Sequence, residues 1–336
     1  MEQIYAVVLS YKRKDLLQRC LEAIAAQTRR CDGIIVVDNA SGEEVERMLM
    51  QLDIPDLEVY VASRNIGASG GFSAGFRLAY QRGADFVWMM DDDVIPKPDA
   101  LEELLQADRK LAELGKPRAF LLSTAYSGDG ELTNVPLVDT RTNSIGYQYW
   151  PQLVEHGMVP VREATFVSIL VPRAALAQHG LPIASMFIWA EDTEFTLRIT
   201  QDIPGYLVSA SKVLHLRRVA GAPDLLREQD PFRASLHRHF VRNQVFVFRK
   251  FFKKTRLLAM LLARLRQLAI LLRLGQFAKA TFVMRGLMES LTFKPEVESA
   301  DAPLEALGGG FRRLERLPLS LEQKTFMPEP GVMPAA

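Results

Sequence analysis

Three consecutive carboxylates, Asp91, Asp92 and Asp93, follow the apolar run Phe86-Val87-Trp88-Met89-Met90. The run has the length and character of a buried strand, so the acids fall where a strand gives way to a loop. In open α/β sheets that edge is where ligands bind. Carboxylates packed this closely repel one another unless a cation joins them. Hard divalent ions that prefer oxygen ligands, Mg²⁺ or Mn²⁺ carrying a phosphate group, suit the position. A solvated acidic turn is the alternative for any short acidic cluster. Further chemistry-bearing groups lie downstream. Glu191, Asp192 and Glu194 open a helical pattern after Trp189, where acids suit either the helix dipole or a general base facing a cavity. His215 follows a short strand and is either structural or a metal ligand.

The elements that must position these groups read clearly over the first hundred residues. Apolar runs at 4–9, 33–37, 57–62 and 86–90 alternate with helical spacings at 14–27, 42–52 and 69–82, and another helical stretch starts at Asp99. The rhythm predicts an α/β fold: a mostly parallel sheet with helices on both faces. Beyond it, strands are expected at 119–124, 165–171, 206–209 and 212–216, and a helix from 189 to 199. Residues 127–161, rich in Gly, Asn, Thr, Pro and Tyr, read as a long loop region with short strands, the kind that carries specificity. From Pro231 to about Leu291 the pattern is helical. The tail after Phe293 holds six prolines and is expected to be loose.

Three strand ends add candidates at the same sheet edge. The first ends in Ser10-Tyr11-Lys12-Arg13 and the second in Asp38-Asn39-Ala40-Ser41. A carboxylate and amides there suit the edge of a nucleobase, or else cap the next helix. The third leads into Arg64-Asn65-Ile66-Gly67-Ala68-Ser69-Gly70-Gly71-Phe72. Its glycines permit close approach either to a ligand at a helix N-terminus or to the sheet itself. Arg64 offers a charge-assisted contact to phosphate. The spacing is not the dinucleotide fingerprint, which follows a first strand.

In this order, Asp38-Asn39, the segment from Asn65 to Phe72, Asp91-Asp92-Asp93 and Glu191-Asp192 resemble a family 2 glycosyltransferase of the GT-A fold, over about residues 1 to 220. The run from Val87 to Asp93 and the Gly-rich loop resemble bacterial galactofuranosyltransferases and rhamnosyltransferases, which build cell-surface polysaccharides on lipid carriers. The resemblance implies donor contacts at Tyr11, Arg13, Asp38, Asn39, Arg64, Asn65, Gly67, Gly70, Gly71, Asp91 and Asp92. It implies metal ligation of Mn²⁺ or Mg²⁺ by Asp93, Asp91 and His215. Asp192 would be the catalytic base, Glu191 would stand beside it, and Trp189 would line the acceptor pocket. It further implies inverting, metal-dependent transfer of a sugar, galactofuranose ahead of rhamnose, from a UDP- or dTDP-linked donor to a glycan or polyprenyl-linked acceptor. The Gln-x-x-Arg-Trp motif of processive synthases does not follow the acids, which argues for adding one or a few sugars. A pair at Arg242-Asn243 also has counterparts near the donor site of related transferases.

The bulk composition fits this reading and leaves one feature over. The chain has 336 residues, 48% hydrophobic and 24% charged, and two cysteines, Cys20 and Cys31. That is globular, with neither a disulfide framework nor a zinc site, and a reducing cytosol is the default. The N-terminus shows no basic leader before an apolar core, and no apolar run is long enough to span a bilayer. Of the 41 basic residues, 13 fall between Pro231 and Met288, where no Asp or Glu occurs; the other 28 stand against 40 acids. This divides the chain into a catalytic region at 1–225, a basic amphipathic helical region at 226–292, and a tail at 293–336. Arginines inside the leucine-rich run suit the membrane interface rather than a span. Peripheral contact with the anionic inner face of the cell membrane is therefore expected; packing on the catalytic region or on a second copy is the alternative. No recognisable module supports nucleic-acid binding. A non-catalytic sugar-nucleotide-binding protein remains a rival. A nucleotidyltransferase fits less well, because 10–15 contains no glycine.

Overall fold

Four apolar runs form the parallel heart of the sheet. A computed structural model describes residues 2–217, 221 and 223–315. In chain order its elements are β1 (Ile4–Ser10), α1 (Lys14–Ala25), β2 (Gly33–Asp38), α2 (Glu43–Gln51), β3 (Leu57–Ala62), α3 (Gly67–Gln81), β4 (Phe86–Asp91), β5 (Val94–Pro96) and α4 (Ala100–Glu113). Then come β6 (Leu121–Tyr126), β7 (Leu132–Thr133), β8 (Leu137–Val138), β9 (Met158–Glu163), β10 (Ile169–Pro172), α5 (Arg173–His179), α6 (Glu191–Ile199) and β11 (Gly205–His215). The helices α7 (Pro231–Phe251), α8 (Lys254–Arg273) and α9 (Phe277–Thr292) precede a last strand, β12 (Phe311–Arg313).

The sheet runs β12-β3-β2-β1-β4-β10-β6-β11-β9-β8, with β5 on β11 and β7 on β6. The parallel expectation holds for β3-β2-β1-β4. Beyond β4 the sheet is mixed, since β10 runs antiparallel to both β4 and β6 and β11 runs parallel to β6. The chain leaves β1 toward β2 and β3, then returns over α3 to β4 on the other side of β1. That reversal opens a crevice at the strand ends, the place where α/β sheets bind ligands. Register aligns the candidates there: Ser10 pairs with Asp38, and Leu9 with Asp91.

Two apolar layers sandwich the sheet. One contains Leu17, Leu21, Ile24, Trp88 and Leu104 under α1, α2 and α4; the other contains Phe72, Phe76, Phe166 and Phe195 under α3 and α6. Fully buried Trp88 donates its indole N–H to Ser168 Oγ at 2.9 Å, satisfying the one polar atom its burial would strand.

Four expectations change. The segment at 165–171 becomes a strand only from Ile169. The two short strands at 206–209 and 212–216 are one strand, β11, with a register shift between Val208 and Lys212. Helix α3 begins at Gly67, ahead of Ser69. The tail is not loose where it is described. Residues 298–303 run along α3, where Arg77 donates to the carbonyls of Pro303 (2.7 Å) and Ser299 (3.3 Å) and Ser73 donates to Glu298 (2.9 Å). Then β12 adds to β3. Prolines rule out a helix here but not an extended strap whose carbonyls are satisfied by side chains. The last prolines of the tail lie outside the described residues.

Candidate active site

Asp91 ends β4, and the tight turn into β5 carries Asp92 and Asp93. His215 arrives from the end of β11, where its register partner is Val94, one residue past Asp93. The potential ligand atoms of Asp91, Asp93 and His215 all lie within 4.8 Å of one another. His215 Nε2 stands 3.2 Å from Asp93 Oδ1. Its other ring nitrogen, Nδ1, lies 2.8 Å from Asn134 Oδ1. An amide oxygen only accepts, so Nδ1 carries a proton, and Nε2 is the ring atom turned to Asp93. Two carboxylates and an imidazole so arranged fit Mn²⁺ or Mg²⁺.

Arg13 offsets part of the negative charge of the three acids. Arg13 Nη1 contacts Asp93 Oδ2 at 2.5 Å and Asp92 Oδ1 at 3.2 Å. Burial raises Asp91 well above the usual carboxylate range, and Asp93 and Asp92 add to it. Burial alone would raise Asp93 too, but the contacts of His215 and then Arg13 outweigh it and hold its carboxyl low. Asp92 faces the β1 exit: it accepts from Ser10 Oγ (2.8 Å), the Tyr11 N–H (3.2 Å) and Arg13. The structure therefore gives Asp92 the work of holding that loop rather than an open position facing a donor.

The acid pair opens α6 behind a contorted turn. Phe187, Trp189 and Ala190 all have left-handed φ, at 68°, 62° and 69°. Such backbone persists only where the surroundings enforce it. Asn243 on α7 enforces it: Nδ2 donates to the carbonyls of Met186 (2.9 Å), Ile188 (3.1 Å) and Trp189 (2.9 Å). Arg242 donates to Ser185 and Met186 and stacks on Phe293. So the Arg242-Asn243 pair holds the turn before the acids. Trp189 packs against His237 and Phe240 of α7, with centroids 4.8 and 5.8 Å away. Burial raises Glu191 well above its usual range, with Asp192 and Asp91 contributing. Burial raises Asp192 to about 6; the Thr193 N–H opposes this and Glu163 adds to it. Asp192 acts electrostatically on Asp91, and Asp91 on Glu191, so the acid pair lies near the metal-type cluster.

Asn39 and Asn65 build the loop between β3 and α3. Asn39 Nδ2 donates to Asn65 Oδ1 and the Gly67 carbonyl, both at 3.0 Å, and Asn39 Oδ1 accepts from the Ile66 N–H at 2.9 Å. Asn65 Oδ1 accepts from the Gly67 N–H at 2.8 Å. Gly67 has φ +78°, and a Cβ on it would sit 2.1 Å from the Phe187 carbonyl oxygen. A Cβ on Gly71 would lie 2.2 Å from Leu9 Cδ1, and one on Gly70 3.0 Å from Ile66. Close packing of α3 on β1 accounts for Gly71, while Gly70 meets Ile66 of the turn that precedes the helix. Asp38 is buried, accepts from the Ser41 N–H at 3.0 Å, and keeps Oδ1 without a partner. Tyr11 is half-buried at the β1 exit. Arg64 is exposed and donates to the Gly308 carbonyl at 3.1 Å. Sequence reasoning missed Asn134 altogether: it sits in the irregular 127–161 region, and only the fold brings it to His215.

Residues 5–147 match the family model described as glycosyl transferase family 2. The matched segment is a family 2 glycosyltransferase domain. Two curated proteins similar to part of this chain agree. Galactofuranosyltransferase GlfT1 of Mycolicibacterium smegmatis is 38% identical over 96 residues, covering 28% of this chain and 31% of the relative. The protein of the same name from Mycobacterium tuberculosis (strain CDC 1551 / Oshkosh) is 43% identical over 94 residues, covering 27% and 31%. The chain thus spans about a third of the length of these relatives. A crystal structure of GalNAc-T7 with UDP, GalNAc and Mn²⁺ superposes with a TM-score of 0.50 at 15% identity, covering 71% of this chain and 51% of that one. At that identity the likeness speaks to the fold alone, which is GT-A.

Proposed function

We propose that this glycosyltransferase moves a sugar, galactofuranose ahead of others, from a nucleoside diphosphate donor to a glycan or lipid-linked glycan acceptor in cell-surface polysaccharide synthesis, with inversion. The observation that carries the reading is the Asp91–Asp93–His215 cluster at the strand ends, with a buried acid, Asp192, near enough to act electrostatically on Asp91. The relatives' name favours galactofuranose. We assign the catalytic unit to residues 1–225 and a membrane-facing role to 226–292.

Asp91, Asp93 and His215 would hold the divalent ion; when bound, it supplies positive charge against the leaving diphosphate. Tyr11, Asp38 and the 64–71 loop hold the nucleoside side of the donor. Asp192 accepts the proton of the acceptor hydroxyl as that oxygen bonds to the anomeric carbon. The bond from that carbon to the diphosphate oxygen breaks, and the nucleoside diphosphate departs with the electron pair. One displacement from the opposite face inverts the centre, so one base suffices. Burial beside Asp192 disfavours charge on Glu191, which limits the negative charge next to the base.

The membrane assignment rests on α8 and α9. Leu258, Leu262, Leu265, Leu272, Phe277, Met288 and Leu291 are all exposed, and basic residues run through the same helices. Apolar side chains among cations suit the surface of an anionic bilayer. Among the described residues, no helix is long and apolar enough to cross a membrane.

A thermal-shift panel of UDP, dTDP, GDP and CDP, each with and without Mn²⁺, tests the donor. Stabilisation by UDP that requires Mn²⁺ is expected. Stabilisation by dTDP alone would move rhamnose to the front, and no shift with any nucleotide would favour a binding or scaffold role of another kind.

A further inference from the structure

The strap that closes the chain ends beside the part of the site where the reading above places the nucleoside. At the C-terminal ends of β2 and β3 lies a cavity of about 490 Å³, within the range of small-molecule sites. Its walls come from two distant parts of the sequence. Ala40, Gly42 and Glu46 follow β2 and Val61, Ala62 and Ser63 close β3, while Gly310, Phe311 and Arg312 belong to the strap. The strap is pinned there by its backbone. Ser63 N–H donates to the Gly310 carbonyl at 2.8 Å, Leu314 N–H donates to the Val59 carbonyl at 2.9 Å, and Phe311 pairs with Ala62. Arg312 Nη2 is held by Glu46 at 2.8 and 2.9 Å.

Asp38 adjoins this cavity. Its register partner on β3 is Val61, which lines the wall. Its buried Oδ1 has no partner, and a stranded acceptor marks a place where a donor is missing. Both Glu46 and Arg312 act electrostatically on its carboxyl. A pyrimidine imide offers one N–H donor between two carbonyl acceptors. The unpartnered oxygen suits the N–H, the guanidinium suits a carbonyl, and the Phe311 ring adds an apolar wall for the base.

We infer that residues 308–312 of the strap complete the nucleoside pocket, with Arg312 and Phe311 contacting the base of the donor opposite Asp38. The inference rests on the nucleoside diphosphate reading of the donor. It makes base selection depend on a segment some 250 residues beyond the strands that hold Asp38 and Val61.

The test uses the full chain with Mg²⁺ and compares UDP with inorganic pyrophosphate by titration calorimetry. Ser63 is exposed on the rim, so Ser63→Trp fills the cavity without entering the core. Ser63→Trp and Arg312→Ala should each weaken UDP about tenfold, the size of one lost base contact, while pyrophosphate affinity stays put. UDP affinity unchanged in both variants would overturn the inference. So would an equal fall for both ligands, which would place the damage outside the base. If the unmodified chain binds pyrophosphate but no nucleotide, the donor reading itself falls, and the pocket with it.

Discussion

At the scale of the residue, the proposed reaction rests most on Asp192. Its carboxyl must be ionised to take a proton, and burial raises it to about 6. Activity should therefore rise with pH through that value, and it should fall about tenfold per unit on the acid side, as expected for one essential base. Asp192→Asn should remove turnover at every pH while leaving UDP affinity close to that of the unmodified chain. Initial rates from pH 4.5 to 8 and a nucleotide titration check this; a variant that retains activity and the same acid limb would move the base elsewhere. Asp91, Asp93, Glu191 and Asp192 were legible in sequence because strand and helix periodicity put them at element ends, where side chains reach a common edge. His215 was legible only as one of two readings. Asn134 was not legible, because nothing in a loop rich in Gly, Asn and Thr marks the residue that will orient an imidazole 81 positions away. Asp92 was half legible: its place was evident, but its engagement with Ser10 and Tyr11 depends on how the β1 exit folds back.

At the scale of the element, the turn at 186–190 decides where the acid pair points, and α7 decides the turn. The amide of Asn243 is fully buried and reaches three carbonyls, and no smaller side chain can replace those bonds. Asn243→Ala should cost about 1–3 kcal/mol of stability, as carbonyls lose their buried donor. It should also lower kcat more than the donor KM, since the turn carries Asp192 while the donor cluster sits on β4 and β11. Chemical denaturation and steady-state kinetics read the two effects separately; loss of stability with kcat unchanged would make Asn243 a packing residue only. The sequence pattern placed the strands and α6 but gave Gly70 and Gly71 two meanings. The clash that a Cβ on Gly71 would make with Leu9 selects packing, and that contact exists only once α3 lies on β1. Likewise β11 looked like two strands because its register shift at 208–212 interrupts the alternation that sequence reading relies on.

At the scale of the whole molecule, the charge asymmetry visible in composition becomes a surface. The acidic N-terminal region closes around the crevice, whereas the basic segment folds into α7, α8 and α9. Helix α7 is tied to the N-terminal region, through Asn243 and through Lys250, which pairs with the fully buried Glu194 at 2.9 Å. Helix α8 buries only Met260 and Leu271, and leaves Leu258 and Leu262 more than half exposed. Exposed leucines in a row are costly in water, and their cationic neighbours Lys253, Lys254, Arg256 and Arg266 oppose stacking against a like-charged copy of the same face. Both features favour an anionic bilayer, where each cation near the surface contributes about 1 kcal/mol and the leucines enter the headgroup boundary. Co-sedimentation should therefore show binding to vesicles with anionic lipid and little to neutral ones. The binding should weaken as salt rises, because screening removes the cationic share. Leu258→Glu with Leu262→Glu should abolish it while leaving UDP binding intact, since both side chains are exposed on α8 and neither is among the site residues. Equal binding to neutral vesicles, or binding that ignores salt, would overturn the electrostatic part of the argument; no binding to either vesicle would assign the face to packing against another protein, and a dimer in sedimentation would identify that protein as a second copy of this chain.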